Sequence, residues 1–191
     1  MELDDAAWVL LHELRLRGTI GDDGEPAIEV LVAQGFAVRK RTIVAITAEG
    51  RERHAPWARC EPGSAAEVAM RRAYDRFLPL NAELLRVCND WQVRAAGVPN
   101  DHADVEYDWS VIDRLRALHE RTSPVTRTMA ATMERFAAYR SGLRAALELV
   151  EEGQNEWFTS PRIESYHTVW MRMHEDLLLA LGIDRASEVP A

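Results

Sequence analysis

The sequence predicts a mainly α-helical protein, in which a short mixed segment with a β-hairpin precedes a bundle of four to five helices. Three observations predict this fold class. From Ser64 onward, the apolar residues follow helical spacing nearly to the end of the chain. Earlier in the chain, two short apolar runs flank a basic tip, as in a β-hairpin. Between the two parts, His54–Gly63 contains two prolines and lacks helical periodicity, which predicts a domain boundary.

The composition indicates a globular protein with one domain or two small ones. Of the 191 residues, 47% are hydrophobic and 28% are charged, which excludes a disordered or low-complexity chain. No apolar run approaches the roughly 18 residues that a membrane span needs. The acidic N-terminus predicts no secretory signal, and the two cysteines, Cys60 and Cys88, are too few for a disulfide framework. We therefore expect a cytoplasmic protein.

The first part of the chain predicts two helices. The first covers about Asp5–Arg17, and Gly18 suits its C-terminal cap. The second covers about Pro26–Gln34, with proline in its first turn and a glycine behind it. The apolar residues expected to face the core are Trp8, Leu10, Leu11, Leu14, Ile28, Leu31 and Val32.

A hairpin and a further helix complete this part. Phe36 and Val38 are expected to alternate inward in the first strand, and Ile43–Ile46 forms the second. Thr47 is expected to cap a helix that begins at Ala48.

The string Leu31–Val38, its basic tip and the following Ile46–Arg51 resemble the recognition helix and wing of MarR-type regulators. The resemblance implies a winged-helix-like domain over residues 1–57. One departure is clear, because a complete helix-turn-helix places a whole helix and a turn before the recognition helix. Only Gly18–Glu25 is available here, so that helix is missing or reduced to a single turn.

The charges of this domain point in two directions. The net charge of the whole chain is −8, so DNA binding requires a local basic patch. The hairpin tip supplies one, and the candidate DNA-binding residues are Arg39, Lys40, Arg41, Thr42 and Arg51. The candidate recognition helix opposes binding, because carboxylates lie before or on it: Asp22, Asp23, Glu25 and Glu29. In the alternative interpretation, the tip is solvated and the domain contacts a protein.

The remainder predicts a helical domain over residues 64–182, followed by a flexible tail over 183–191. Ser64 caps a helix that runs towards Arg94 and is kinked or split at Pro79. A second helix ends near Arg121. The later helices are predicted over Val125–Tyr139, from Ser141 or Gly142 to Gly153, and from Ser160-Pro161 to Gly182.

Three apolar seams on these helices are expected to face the core. They comprise Ile163, His167, Trp170, His174, Leu177 and Leu181; Ile112, Leu115 and His119; and Leu80, Leu84, Val87 and Trp91. Three of the six histidines therefore lie on faces directed inward.

Three interpretations of these histidines stay open. In the first, each is a core residue with one structural hydrogen bond. In the second, they line a ligand pocket, whose candidate residues are Cys88, Asp90, Trp91, His119, Arg162, Tyr166, His167, Trp170 and His174. In the third, His119, His167 and His174 bind a metal ion with a carboxylate or Cys88. The spacing of His167 and His174 opposes the third interpretation, since seven residues of helix rise about 10.5 Å.

Two further stretches, residues 85–94 and 157–170, are similar to a group of uncharacterised actinobacterial proteins labelled winged-helix or MarR-like regulators. The resemblance implies an architecture and supplies no catalytic residue. The residues themselves show no nucleophile motif around Cys88, and we interpret this cysteine as a small core residue.

We therefore expect a non-enzymatic regulator without a cofactor. Its N-terminal domain would contact double-stranded DNA or a partner protein, and its helical domain would form a homodimer or sense a small-molecule effector. The first alternative is an accessory module that binds protein through a degenerate winged helix. The second is a helical protein with a histidine-lined ligand or metal site.

Overall fold

The computed structural model describes residues 2–187. Over this range the chain forms eight α-helices and a three-stranded sheet near the N-terminus, which confirms the mainly helical prediction. The helices are α1 (Asp5–Arg17), α2 (Pro26–Ala33), α3 (Ala48–Ala58), α4 (Ala65–Gln92), α5 (Val105–Thr132), α6 (Ala137–Glu151), α7 (Glu156–Thr159) and α8 (Tyr166–Leu181). The strands are β1 (Thr19–Gly21), β2 (Ala37–Lys40) and β3 (Ile43–Ile46). Within residues 2–187, no helix has both the length and the apolar character needed to cross a membrane.

The chain divides into two compact units. The first contains the chain up to Cys60 together with Leu178–Ser187, and the second contains Glu61–Leu177. The sequence placed residues 178–182 in the helical domain, whereas the last turn of α8 belongs to the first unit. The physical reason is local, because the Cys60 N–H donates to the carbonyl of Ala180 at 2.8 Å. Of the predicted tail, residues 188–191 lie outside the described range.

The sheet of the first unit is antiparallel, in the order β1-β3-β2. Strand β1 pairs Thr19 with Ala45, and β2 pairs Ala37 with Ile46. The sequence did not predict β1. Because Gly18 ends α1 at φ 76° and β1 follows at once, no helix forms between residues 18 and 25. The helix expected in that interval is therefore missing, not shortened to one turn.

Of the two residues predicted to face inward in the first strand, Phe36 is half-buried and packs against the core, whereas the prediction is wrong at Val38. Ala37 is buried, whereas Val38 is 40% exposed. The start of the strand is fixed by Thr47, whose N–H donates to the Phe36 carbonyl at 3.1 Å and whose hydroxyl donates to the Gly35 carbonyl at 2.7 Å. A Cβ at position 50 would overlap the same Phe36 carbonyl. Only glycine at this position therefore allows α3 to approach the start of β2 this closely.

The predicted boundary at His54–Gly63 begins too early, since α3 continues through Pro56 to Ala58. Its last turns are held by burial. His54 and Ala58 are fully buried, and the Trp57 ring stacks on the Trp8 ring of α1 at 5.5 Å. This packing outweighs the backbone hydrogen bond that a proline cannot donate near a helix end.

Helices α4 and α5 form the long axis of the second unit, each with 28 residues. Two ion pairs show that they run antiparallel. The Arg114 guanidinium of α5 bonds to Asp90 of α4 at 2.8 Å, and Arg121, later on α5, pairs with Glu83, earlier on α4. The predicted cap is confirmed, since the Ser64 hydroxyl accepts the Glu67 N–H at 3.1 Å. The helix α4 is not split at its internal proline.

Pro124 does not begin a new helix, contrary to the prediction, because α5 continues to Thr132. Residues on both sides of the proline are buried, including Thr122, Val125 and Thr126. The Thr122 hydroxyl donates to the Leu118 carbonyl at 2.8 Å, so it is satisfied within the helix. Burial of this face outweighs the one backbone donor that Pro124 lacks.

The starts of α6 and α8 also differ from the prediction. Helix α6 begins at Ala137, four residues earlier than expected, because α5 ends in an extended residue at Met133. Helix α8 begins at Tyr166, where the Ser165 hydroxyl accepts the Thr168 N–H at 3.2 Å. Ile163 therefore lies in the preceding turn and is not part of the seam.

A buried ion pair joins α8 to the segment before α6. The Asp176 carboxylate is fully buried and accepts from the Arg135 Nε at 3.0 Å and from the Arg135 Nη2 at 2.9 Å. The Tyr139 hydroxyl donates to the same carboxylate at 3.1 Å. Three donors of this kind compensate the loss of hydration that a buried carboxylate suffers.

We expect Asp176→Ala to destabilise the protein strongly, because it removes the carboxylate that the Arg135 guanidinium binds. Breaking a buried pair from one side costs about 3–5 kcal/mol. The control is Glu148→Ala, which removes the exposed partner of Arg144 and should cost at most about 1 kcal/mol. Urea unfolding measures both variants, and equal losses of stability would contradict the structural role of Asp176.

Candidate functional site

The hairpin tip presents exposed cations. Lys40, Arg41 and Thr42 are exposed, and Arg41 takes a left-handed conformation, with φ 58°. Arg51, on the first turn of α3, is exposed as well. Within residues 2–187, the side chains of Lys40, Arg41 and Arg51 form no salt bridge, so their charges are available to a ligand.

Arg39 differs from its neighbours, because its charge is matched inside the first unit. Its guanidinium pairs with Asp22, and its Nη2 donates to Glu29 of α2 at 2.8 Å. These two carboxylates raise the pKa of Arg39 above its ordinary value. The sequence grouped Arg39 with the free cations of the tip, whereas the structure joins it to the acidic residues of the candidate recognition helix.

A histidine pair in the first unit was not found by sequence reasoning. The His12 Nδ1 lies 2.9 Å from the Nε2 of His54, between α1 and α3. Both rings lie within 5.4 Å of the Trp57 ring, centroid to centroid. One of these two ring nitrogens must donate the hydrogen bond and the other must accept it. The sequence signal for this pair would have been a helix that continues through Pro56, but that stretch was interpreted as a domain boundary.

Several predicted pocket residues are core residues of the second unit. Tyr166, Trp170 and His174 are buried and form a row of rings with Phe77. The Trp170 ring lies 5.1 Å from Phe77, and Phe77 lies 4.9 Å from His174. The Trp170 Nε1 donates to the side-chain oxygen of Asn81 at 2.9 Å. These side chains fill space between the helices of the second unit.

The other pocket candidates are dispersed. Cys88 and Trp91 are buried on α4, and Trp91 stacks on Phe158 at 4.4 Å. Asp90 is committed to Arg114 at 2.8 Å. Arg162 is exposed in the turn before α8. The structure therefore does not bring these four residues into one site.

His119 and His167 are half-buried. The His119 Nδ1 lies 3.2 Å from the Tyr166 hydroxyl, which is the structural hydrogen bond expected for a core histidine. Burial lowers the pKa of both imidazoles below the ordinary value. Both rings are therefore predominantly neutral at pH 7.

The three histidines do not form a metal centre. Among the residues that the structure describes, no group of three or more His, Cys, Asp or Glu side chains is arranged to hold a metal ion. His119 bonds to a tyrosine, and His174 packs on Phe77, so their surroundings are aromatic.

A second satisfied cluster lies at the start of α5. The Asp108 carboxylate is buried, accepting from the Asn100 side chain at 2.8 Å and lying 2.9 Å from the His102 Nδ1. The His102 ring also contacts the Trp91 ring at 4.4 Å. The cluster fixes the loop before α5 to α4 through the Trp91 carbonyl, which accepts from Asn100 at 3.0 Å.

A cleft of about 350 Å³ lies between α5 and α6, in the second unit. Its polar wall contains His119, Thr122, Ser123, Thr126, Arg140 and Ser141. Of the predicted pocket residues, only His119 contributes. Sequence reasoning missed the threonines because Ser123-Pro124 was interpreted as the start of a helix, which separated that stretch from His119. With α5 continuous, His119, Thr122 and Thr126 share one helix face at spacings of three and four.

Comparison with known proteins identifies no family for this chain. No family model matches it, and neither a curated protein nor a solved structure matches it. The similarity to MarR-type regulators therefore stays a prediction. What the protein does must be inferred from its own residues and geometry.

The lowered pKa values of His119 and His167 predict a loss of stability in acid. The unfolded chain takes up protons first as the pH falls below about 6.5, the ordinary value for histidine. The stabilising contribution is therefore complete above about pH 6.5 and is lost as the pH falls through the pKa of the folded state. Each ring contributes a slope of at most about 1.4 kcal/mol per pH unit, reduced because the rings are partly exposed.

Urea unfolding between pH 5 and 7.5 tests this expectation. The double variant His119→Gln/His167→Gln should show a flatter dependence of the unfolding free energy on pH than the natural sequence. An identical pH dependence in the two proteins would show that other groups control the acid response.

Cys88 is predicted to be chemically inert in the folded protein. Burial raises the pKa of its thiol to about 12. At pH 8 the thiolate fraction is then about one in ten thousand. With a chromogenic disulfide reagent at pH 8, we expect slow reaction of the native protein and complete reaction of two thiols in urea. Rapid labelling of native Cys88 would instead support a nucleophilic role.

Proposed function

We propose that this protein is a non-enzymatic regulator that contacts double-stranded DNA through the tip of its hairpin. The observation that carries this proposal is the exposed pair Lys40 and Arg41, whose charges are unmatched within residues 2–187. Their position between β2 and β3 suits phosphate contacts, which fix a protein on the duplex without reading its sequence.

The arrangement of the first unit supports a truncated winged helix. The helix α2 precedes a hairpin whose strand β3 is central in the sheet, and α3 closes the hairpin through Thr47 and Gly50. With no helix between residues 18 and 25, α2 is the only element in the position of a recognition helix. We therefore assign the wing, and not α2, to DNA contact.

The charge around α2 limits this contact to the tip. Asp23, Glu25 and Glu29 are exposed, and Arg39 is already held by Asp22 and Glu29. Carboxylates at this position repel phosphates and lose hydration in a groove. We infer that each protomer neutralises about three phosphates through Lys40, Arg41 and Arg51. As a homodimer, the protein would place two such tips on one duplex.

A second candidate function is supported by the ion pairs of Arg39. A helix face on which Arg39 is matched internally by Asp22 and Glu29 presents exposed carboxylates, which suit a protein partner better than DNA. In this candidate, the first unit is an accessory protein-binding module with the same fold.

The second unit is proposed to sense a small molecule. The α5–α6 cleft, at about 350 Å³, falls in the range of small-ligand sites and combines polar groups with the apolar Ala137 and Leu143. Of the residues that the sequence predicted for a ligand pocket, His119 lines this cleft.

Fluorescence anisotropy with a mixed-sequence DNA duplex across a salt series tests DNA binding. With three phosphates neutralised, the slope of log affinity against log salt should be about −2.7 per protomer. Lys40→Ala/Arg41→Ala should reduce it to about −0.9, because two of the three contacts are lost. Glu29→Gln removes a carboxylate beside Arg39 and should strengthen binding.

The matched control is Arg72→Ala/Arg76→Ala, which removes two exposed cations from α4 and changes the net charge equally. It should leave the salt slope unchanged. An equal loss of slope in the control would indicate binding through general charge. No binding of the natural sequence at low salt would exclude DNA as the target and leave the accessory module as the better candidate.

A further inference from the structure

The cleft between α5 and α6 has an unmatched cation at its edge. Arg140 lies on the first turn of α6, is exposed, and forms no salt bridge within residues 2–187. Arg144, one turn further along, also lines the cleft, and its Nε donates to Glu148 at 2.8 Å. Because the Arg144 pair is solvent-exposed, it is weak and easily exchanged for another anion. The cleft therefore offers guanidinium donors to an incoming carboxylate or phosphate.

The opposite wall of the cleft is lined with hydroxyl groups of α5. Thr122 donates its hydroxyl hydrogen to the Leu118 carbonyl at 2.8 Å, and Thr126 donates to the Ser123 carbonyl at 3.1 Å. Both threonines are buried and their hydroxyl hydrogens are committed to the backbone, so the hydroxyl of this wall that a ligand can reach is that of the half-buried Ser123. This wall suits the hydroxyl groups of a ligand better than a second anionic group.

His119 adds a neutral polar group to the same wall. Its Nδ1 is engaged with the Tyr166 hydroxyl at 3.2 Å, and burial favours the uncharged imidazole. Among the charged groups around His119, Glu151 and Glu120 raise its pKa, whereas Arg140 and Arg144 lower it. An anion placed beside the two guanidinium groups would oppose that effect, so His119 can report occupancy of the cleft.

We propose that this cleft binds a small hydroxylated anion, with the Arg140 guanidinium holding its phosphate or carboxylate and the Ser123 hydroxyl bonding to one of its hydroxyl groups. The proposal rests on the sensing role given above and names the chemical class of the effector. Two features support it together: an exposed cation without a salt bridge on one side of an open cleft of ligand size, and an accessible hydroxyl on the other. Neither a neutral sugar nor an apolar ligand would use both sides.

Isothermal titration calorimetry of the full chain tests this proposal with three probes of similar size: glycerol 3-phosphate, glycerate and neutral glycerol. We expect the two anions to bind and glycerol not to bind. Whichever anion binds more tightly identifies the phosphate or carboxylate class. Binding of neither anion at 10 mM ligand would overturn the proposal, since a built site of this size exceeds that affinity.

Arg140→Ala should weaken binding of the anion by about ten- to a hundredfold, because it removes a charge-assisted contact. Arg127→Ala is the matched control, since Arg127 is an exposed arginine of α5 that does not line the cleft. Arg140→Lys keeps the charge, loses the paired donors and should lie between the two. Undiminished binding by both Arg140 variants would overturn the assignment.

NMR titration of the His119 ring supplies an independent readout. A saturating anion should raise the pKa of His119, and Arg140→Ala should remove that effect of the ligand. A bound anion that leaves the His119 titration unchanged would place the ligand elsewhere and contradict the proposal. None of these measurements involves DNA, so failure of the effector site and failure of the DNA contact are distinguishable.

Discussion

The continuity of α5 across Pro124 is the constraint on which the second unit depends. The helix lacks one backbone donor at the proline, yet Thr122, Val125 and Thr126 on either side of it are buried. The continuous helix places His119 and Thr126 on one face. The cleft lies between that face and α6, which follows after Met133. A break in α5 at Pro124 would disrupt both the packing of its buried residues and the polar wall of the cleft.

Charge organises the first unit in a comparable way. Arg39 is drawn towards Asp22 and Glu29, which joins the hairpin to the acidic turn and to α2. These ion pairs neutralise the charge of Arg39 within the first unit. The charges of Lys40 and Arg41 remain available to a partner. A basic run in a sequence therefore overstates the charge offered to a partner whenever carboxylates from neighbouring elements can reach it.

The sequence predicted those features that depend on local chemistry. The limits of α1, the start of α3 at its Thr47 cap and the cap at Ser64 all follow from residues within one turn of the element end. It failed where burial decides. Proline in α3 and α5 was interpreted as a boundary, because the packing that retains those helices involves residues distant in sequence. The cleft was missed for the same reason, while the aromatic candidates Tyr166 and Trp170 were recognised as inward-facing but serve as core.

The contact between Gly50 and Phe36 has a consequence for sequence comparison. A side chain at position 50 would overlap a main-chain carbonyl, and the hydroxyl three residues earlier fixes the same strand end. Any chain that closes a hairpin against the next helix in this manner requires the threonine–glycine pair, whatever surface it displays outside. A search built on that pair would collect proteins by backbone geometry alone, mixing nucleic-acid binders with proteins that never touch a duplex. The side chains at the hairpin tip, which that geometry leaves unconstrained, are what would separate the two groups.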